Sequence, residues 1–260
     1  MTSLSTVERI NVLGVGVSAI NMGTALASIE DWINSEQRHY VCITGVHGVM
    51  ESRRDPELRR IHNGAGMVTP DGMPLVWLLW AAGRRNANRV YGPDLMFALL
   101  ERSQARGHRH FFYGTSDATL ERLRDNVLAH FPRLHVVGMH APPFRALTAA
   151  EDATVMDMIN AARPDVVWVG LGTPKQERWM ADHRARLSAP VLIGVGAALN
   201  FHAGVVRQAP RLMQRSGTEW LFRLAMEPRR LWRRYLRNNP AFIWALSGQM
   251  LGVRQYPLEQ

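Results

Sequence analysis

Apolar residues recur along this chain in two alternating rhythms, short β-branched runs and longer stretches at helical spacing. Ile10–Val17 reads as a first strand, followed from about Asn21 by a helix carrying Ala25, Leu26, Ile29, Trp32 and Ile33 on one face. Tyr40–Thr44 is a second strand. Asp55 and Pro56 open a short helix that stops near Asn63, Gly64 and Gly66. Met67–Pro70 is the next strand, Met73–Leu79 a helix, and Gly83–Asn88 a polar, basic loop. Gly92, Pro93 and Asp94 turn into a helix over Leu95–Arg106, with Asp94 suited to the positive end of its dipole. Strands at His110–Tyr113 and His135–Gly138 flank a helix over Ala118–Phe131. Thr148 and Glu151 have capping-box spacing for a helix ending near Ala162. Asp165–Gly170 is apolar and β-branched enough to be buried on both faces, and Val191–Val195 is a further strand. Strands alternating with helices predict an α/β fold, a mainly parallel sheet with helices on both faces in a Rossmann-like arrangement.

The pattern changes at Arg207. From there arginines alternate with Trp220, Leu221, Phe222, Leu224, Leu231, Trp232, Tyr235 and Leu236, and Glu219 and Glu227 are the acids among them. Arginine on one side of a helix and Trp, Leu and Phe on the other describe an interface-seeking element. Pro228 is expected to divide it into two helices, and Pro240 to begin a third apolar piece running to about Val253. This divides the chain into an α/β core at 1–206 and a basic helical appendage at 207–260. The last piece is shorter than a spanning helix, so it is expected to lie on a membrane surface. The bland alternative is a solvated basic face over an ordinary packing face.

Composition narrows the class. The 260 residues, 47% apolar and 8% aromatic, are enough for one large α/β domain with a small addition. The net charge of +9 comes almost wholly from arginine, Lys175 being the lone lysine, and favours phosphate-bearing partners or an anionic membrane surface. An arginine-biased composition would give the same balance without function. Cys42 is single, which excludes an intrachain disulfide framework. Met1–Glu8 is polar, without the regions of a signal peptide, and no run reaches the ~20 apolar residues of a membrane span. The expected location is cytoplasmic, peripheral on the inner face of the cell membrane.

Asp71, in Thr69-Pro70-Asp71-Gly72, follows a strand and precedes a helix, where ligands of open parallel sheets bind. A helix cap or turn explains the same residue. Gly14 and Gly16 lack the third glycine of a dinucleotide fingerprint and read as packing. Thr44, Gly45, Val46, His47 and Gly48 put a hydroxyl and an imidazole at another strand end. Gly170, Gly172, Thr173, Pro174, Lys175 and Gln176 run from a strand into a helix, an end suited to a diphosphate. The competing explanation is a Thr173/Gln176 capping box with Pro174 in the first helical position. Gly194, Gly196, Ala197 and Ala198, with Asn200 following, leave room for close backbone approach.

Taken in order, these segments resemble the WecG/TagA/CpsF glycosyltransferases (glycosyltransferase family 26). The markers are Asp55-Pro56-Glu57-Leu58, Pro70-Asp71-Gly72, Gly92 with Asp94, Gly170 to Glu177, Gly194 to Ala198, Ala209-Pro210-Arg211 with Met213-Gln214, Glu219-Trp220-Leu221, and Glu227 to Arg230. The resemblance spans about Ile10 to Asn238. It implies an inverting, metal-independent transfer of an N-acetylhexosamine, hexuronic acid or hexose from a UDP donor to a polyprenyl-diphosphate-linked saccharide, with no cofactor and no nucleic acid. By the same resemblance Asp71 is the general base. Thr44, His47, Asp94, Gly170, Gly172, Thr173, Gln176, Gly196 and Asn200 lie on the donor side, and Arg211, Arg223, Arg230 and Arg233 hold acceptor or diphosphate charge. The family's usual Thr-Pro-Asn is here Thr44-Gly45-Val46-His47, one residue shorter before Asp55. His47 therefore either replaces the Asn or caps the following helix. The alternative class is a non-catalytic basic module binding nucleic acid or anionic membrane, and the apolar appendage faces could also serve a homo-oligomer contact.

Overall fold

A computed structural model describes residues 7–258, apart from the side chain of Arg230. The Met1–Thr6 part of the polar N-terminal stretch lies outside the described residues. In chain order the elements are β1 (Arg9–Val12), β2 (Val15–Ser18), α1 (Met22–Asn34), β3 (His39–Thr44), α2 (Val46–Arg54), α3 (Pro56–Gly64), β4 (Met67–Pro70), α4 (Met73–Ala81) and α5 (Gly92–Arg106). They continue as β5 (Arg109–Gly114), α6 (Asp117–His130), β6 (His135–His140), α7 (Ala149–Ala162), β7 (Val166–Gly170), α8 (Lys175–His183), β8 (Val191–Gly194) and α9 (Ala198–His202). The basic segment forms α10 (Arg211–Arg215), α11 (Glu219–Met226) and α12 (Pro228–Met250). The chain is an α/β protein with a six-stranded sheet in the order β4-β3-β8-β7-β5-β6, helices around it, and a helical C-terminal segment.

The residues group into two compact units. Among the described residues one comprises 7–22, 43–91 and 208–258, the other 23–42 and 92–207. In the second unit β3 pairs in parallel with β8, β8 with β7, β7 with β5 and β5 with β6. Val166 to Val169 are fully buried, as a central parallel strand covered on both faces requires. The Thr148–Glu151 capping box forms as its spacing predicts, with side chain and backbone satisfied reciprocally.

Within this core Trp168 Nε1 donates to His110 Nδ1 at 3.1 Å, and both side chains are buried. Burial, followed by the charges of His108 and His135, pushes the His110 imidazole down to about 3. The folded state therefore refuses a proton that the unfolded chain accepts below its ordinary value of 6.5. Stability is whole above that value and is lost as pH falls from there toward 3. Between pH 7.5 and 5 this group should cost about 2 kcal/mol of unfolding free energy. Urea unfolding at both pH values should show His110→Phe losing less on acidification than the wild type. An equal loss would contradict this assignment.

Two expectations are corrected in the first unit. Ile10–Val17 is not one strand but the hairpin β1–β2, with Val12 and Val15 paired antiparallel across Leu13 and Gly14. Those two residues take φ of 53° and 89°, as a tight two-residue hairpin turn demands, and the unbroken apolar run conceals the reversal. The second correction concerns Pro240, which starts no separate helix. α12 runs through it, because Leu231, Asn238, Phe242 and Ala245 recur on one face and are buried together. One missing backbone bond at Pro240 is outweighed by that continuous stripe. Pro228 does open a new helix after α11, as expected. Among the described residues no helix is long and apolar enough to cross a membrane.

Candidate active site

In the first unit, β4 delivers Asp71 and Gly72 to the start of α4. The cap of α4 is Gly72, without a side-chain cap bond, so Asp71 is not spent as a helix cap. Its backbone N–H donates to the Thr44 carbonyl at 3.0 Å, which joins the ends of β4 and β3. The returning segment after α4 lies along β4: Val90 N–H donates to the Pro70 carbonyl at 3.0 Å and Thr69 Oγ1 to the Val90 carbonyl at 3.3 Å. That register brings Arg89 onto Asp71, where its Nε donates to the Asp71 carbonyl.

Four more contacts build a charged cluster. Arg89 Nη2 lies 2.5 Å from Glu219 Oε2 and 3.5 Å from Asp71 Oδ1. Arg223 Nη2, one turn along α11, lies 2.8 Å from Glu219 Oε1 and donates to the Tyr91 hydroxyl at 3.4 Å. The Arg89 guanidinium also stacks 4.1 Å from the Tyr91 ring centroid. Asp71 Oδ1 is shielded from solvent and has no hydrogen-bond partner, whereas 28% of the side chain as a whole is accessible. Burial pushes the Asp71 carboxyl above its ordinary range; Arg89 and Arg223 oppose that rise and Glu219 reinforces it. Burial also raises the Tyr91 hydroxyl, with the Glu219 charge adding to it, so the phenol stays protonated.

Thr44 is buried at the end of β3, and α2 approaches closely behind it at Gly48, where a Cβ would lie 3.0 Å from Thr44 Cγ2. His47 sits inside α2, whose cap is Gly45 without a side-chain bond. Its Nδ1 meets Asn238 Nδ2 at 3.1 Å, and Asn238 Oδ1 accepts from Arg54 Nη2 at 2.7 Å, so His47 helps fasten α12 to α2. Burial, then the charges of Arg234 and Arg54, push His47 down to about 4, which keeps it neutral. Arg211 and Arg233 are exposed, Arg233 over the Trp232 ring. The Arg230 side chain lies outside the described residues.

The second unit gathers the remaining candidates at the carboxyl ends of β7, β8 and β5. Gly172 N–H donates to Gln176 Oε1 at 3.1 Å, and Gln176 N–H returns to the Gly172 carbonyl at 3.0 Å. Gln176 Nε2 and Thr173 Oγ1 both donate to Glu177 Oε1, at 3.1 and 2.8 Å. The expected Thr173/Gln176 capping box does not form. The Glu177 carboxylate, fully buried, accepts charge-assisted bonds from both residues and outcompetes a neutral cap. Pro174 is the cap residue and α8 starts at Lys175, one residue later than expected. Gly194 makes room for this loop, since a Cβ there would meet Met180 Cε at 2.7 Å and Gln176 Nε2 at 3.0 Å. Gly196, at φ 53°, faces Gln176 Oε1, and Gly170 faces Leu199. Asn200 Oδ1 accepts from Thr115 Oγ1 at 2.7 Å. Asp94 lies in the first turn of α5, next to Pro93, whose carbonyl meets His202 Nε2 at 2.9 Å.

Arg89, Tyr91 and Glu219 were absent from the sequence-derived site. The available signals were the position of Arg89 directly after the basic loop Gly83–Asn88 and the rarity of acids after Arg207.

The pattern of the glycosyl transferase WecG/TagA/CpsF family matches residues 10–256. The chain belongs to this family. It is therefore a glycosyltransferase, and the reading as a non-catalytic basic module is set aside. An N-acetylglucosaminyldiphosphoundecaprenol N-acetyl-beta-D-mannosaminyltransferase of Bacillus spizizenii is 29% identical over 196 residues, 75% of this chain and 74% of that protein. Proteins of the same name from Staphylococcus aureus strains MW2 and NCTC 8325 are 24% and 23% identical over 245 residues, 94% of both chains.

Proposed function

We propose that this glycosyltransferase moves an N-acetylhexosamine from a UDP donor to a polyprenyl-diphosphate-linked N-acetylglucosamine, with inversion and without a metal ion. The activities for which the relatives are named support the acceptor class and the sugar class. The observation that carries the chemistry is Asp71, a carboxylate uncommitted to capping, made more basic by burial and partly open. In the proposed step the acceptor O–H breaks and its proton passes to Asp71 Oδ2. The freed oxygen bonds to the anomeric carbon from the face opposite the leaving group. The bond from that carbon to the diphosphate oxygen breaks, and its electron pair departs on UDP.

The positive end of α8, with the tied loop Gly172–Gln176, supports a role in receiving the donor diphosphate. In the second unit Gly170, Gly196, Asn200 and Asp94 are proposed for donor binding; Thr44 and His47 of the first unit are proposed donor contacts on the family resemblance alone. Arginines supply charge for the leaving group: Arg223 in the buried cluster, Arg211 and Arg233 on exposed surface, and Arg230. The sequence contains no D-x-D pair, which favours arginine over a cation in this task.

The proposed site of work is the inner membrane surface. On α12, Trp232, Leu236, Ile243 and Met250 recur on one exposed stripe, with Trp244 beside it, among arginines. Leu236→Glu with Ile243→Glu should reduce co-sedimentation with anionic liposomes by about 10-fold, since two buried apolar contacts are worth at least the ~1.4 kcal/mol of a tenfold change. Unchanged co-sedimentation would contradict membrane docking through this stripe.

The substrate reading is tested by offering the full chain a panel of nucleotide sugars and a soluble N-acetylglucosaminyl-diphospho-lipid, with mass-spectrometric detection. Product from a UDP-N-acetylhexosamine supports it. Product only from UDP-hexoses or hexuronic acids would contradict the sugar class, and product only from a non-uridine donor would contradict the nucleotide.

A further inference from the structure

The cluster around Asp71 holds a second acid, Glu219, that the proposed transfer step does not use. The two carboxylates share one guanidinium unequally. Arg89 Nη2 is at hydrogen-bond distance from Glu219 Oε2, 2.5 Å, and a full ångström farther from Asp71 Oδ1, at 3.5 Å. Glu219 is itself fixed from the other side by Arg223 Nη2 at 2.8 Å, four residues on along α11. The Glu219 side chain is only 12% exposed, and Arg89 only 13%.

We propose that Glu219 is a positioning residue for the transfer reaction: by holding Arg89 on its own carboxylate, it keeps that guanidinium from tightening its long contact with Asp71 into a short hydrogen bond. The inference rests on the reading of Asp71 as the general base. Arg89 is already anchored through Nε to the Asp71 carbonyl, so a small rotation of its planar fork would bring Nη2 onto Oδ1 once Glu219 no longer competes. A carboxylate holding such a charge-assisted bond is a weaker base. With Glu219 in place, Arg89 Nη2 stays 3.5 Å from Oδ1, a long contact that still orients the group.

The groups facing Asp71 are Arg89 and Tyr91 from the segment after α4, and Glu219 and Arg223 from α11. Tyr91 is held protonated, and both arginines stay charged, their affinity for the proton raised by the neighbouring acids despite burial. Loss of the Glu219 charge acts on Asp71 in one direction by both routes: a neighbouring negative charge disappears, and Arg89 is released toward it. The basicity of Asp71 therefore depends on a residue of the C-terminal segment.

The test is the pH profile of kcat and kcat/KM for the full chain as wild type, Glu219→Gln and Glu219→Asp, with Asp71→Asn alongside. For Glu219→Gln the acid limb should move to lower pH by about one unit, and the plateau kcat should fall about 10-fold while donor KM changes less than ~2-fold. Glu219→Asp, which keeps the charge with a shorter reach, should fall between. A uniform loss of rate with the limb in place, or a limb moved to higher pH, would overturn the proposal. If thermal melting shows Glu219→Gln misfolded, the limb of Glu219→Asp decides, and failure of both to fold would make Glu219 structural and overturn the proposal as well. Retained turnover in Asp71→Asn is the separate outcome that removes the base reading itself.

Discussion

Asp71→Asn is expected to lower kcat for sugar transfer by ~10²–10⁴-fold, the usual contribution of a general base, while donor affinity stays within about threefold. The fold should survive, because the bonds that place residue 71 are made by its backbone: its N–H to Thr44 and its carbonyl from Arg89. Asparagine keeps the shape and removes the site that accepts the proton. Burial already disfavours the charged form of Asp71, so the neutral amide costs the unit little. Steady-state rates, UDP titration calorimetry and a thermal melt on the same preparation separate these effects. Turnover within threefold of wild type would remove Asp71 as the base.

Arg89→Met should be the most destabilising single change at the site, by ~3–5 kcal/mol, the usual cost of removing one partner from a buried ion pair. Methionine fills much of the same volume, but Glu219 would keep only Arg223, and Asp71 would lose both the nearby charge and the donor to its carbonyl. The deficit should depend on pH in a defined direction. Asp71 has a raised folded value, so its neutral form is favoured in the fold, and this contribution is present at low pH and lost as pH rises. Without Arg89 to oppose it that loss grows, so the variant should fall further below wild type at pH 8 than at pH 5. Urea unfolding at the two values measures this. A deficit under 1 kcal/mol, or one larger at pH 5, would contradict the cluster as described.

What the sequence made legible follows the range of the interactions involved. β3, β4, β5, β7 and β8 and the helices between them were readable from periodicity, because burial on both strand faces or on one helix face imposes it locally. The Thr148–Glu151 cap was readable for the same reason, both partners lying within one turn. The hairpin at Leu13–Gly14 was not, since a leucine at positive φ leaves no trace in a continuous apolar run. The Thr173/Gln176 spacing misled because it ignores Glu177, one residue further and buried. Pro240 misled because its local cost is overridden by packing of α12 residues before and after it.

At the candidate site, Asp71 was legible as a strand-end acid, whereas its environment was not. Arg89 and Glu219 are 130 residues apart in sequence, and no local pattern predicts that they share a guanidinium bond. His47 likewise gains its partner Asn238 from 191 residues away. Candidate residues at strand ends can thus be read one by one, while the partners that set their charge and basicity come from the tertiary fold.

Inverting, metal-independent transfer from a UDP-sugar to a polyprenyl-diphosphate-linked saccharide can be followed by proton NMR of the wild-type chain in EDTA, with a UDP-N-acetylhexosamine and a soluble lipid-diphosphate-N-acetylglucosamine. The expected product carries a new glycosidic bond of anomeric configuration opposite to that of the donor, formed at the same rate with and without the chelator. Product of retained configuration, or a reaction abolished by EDTA and restored by a divalent cation, would contradict it.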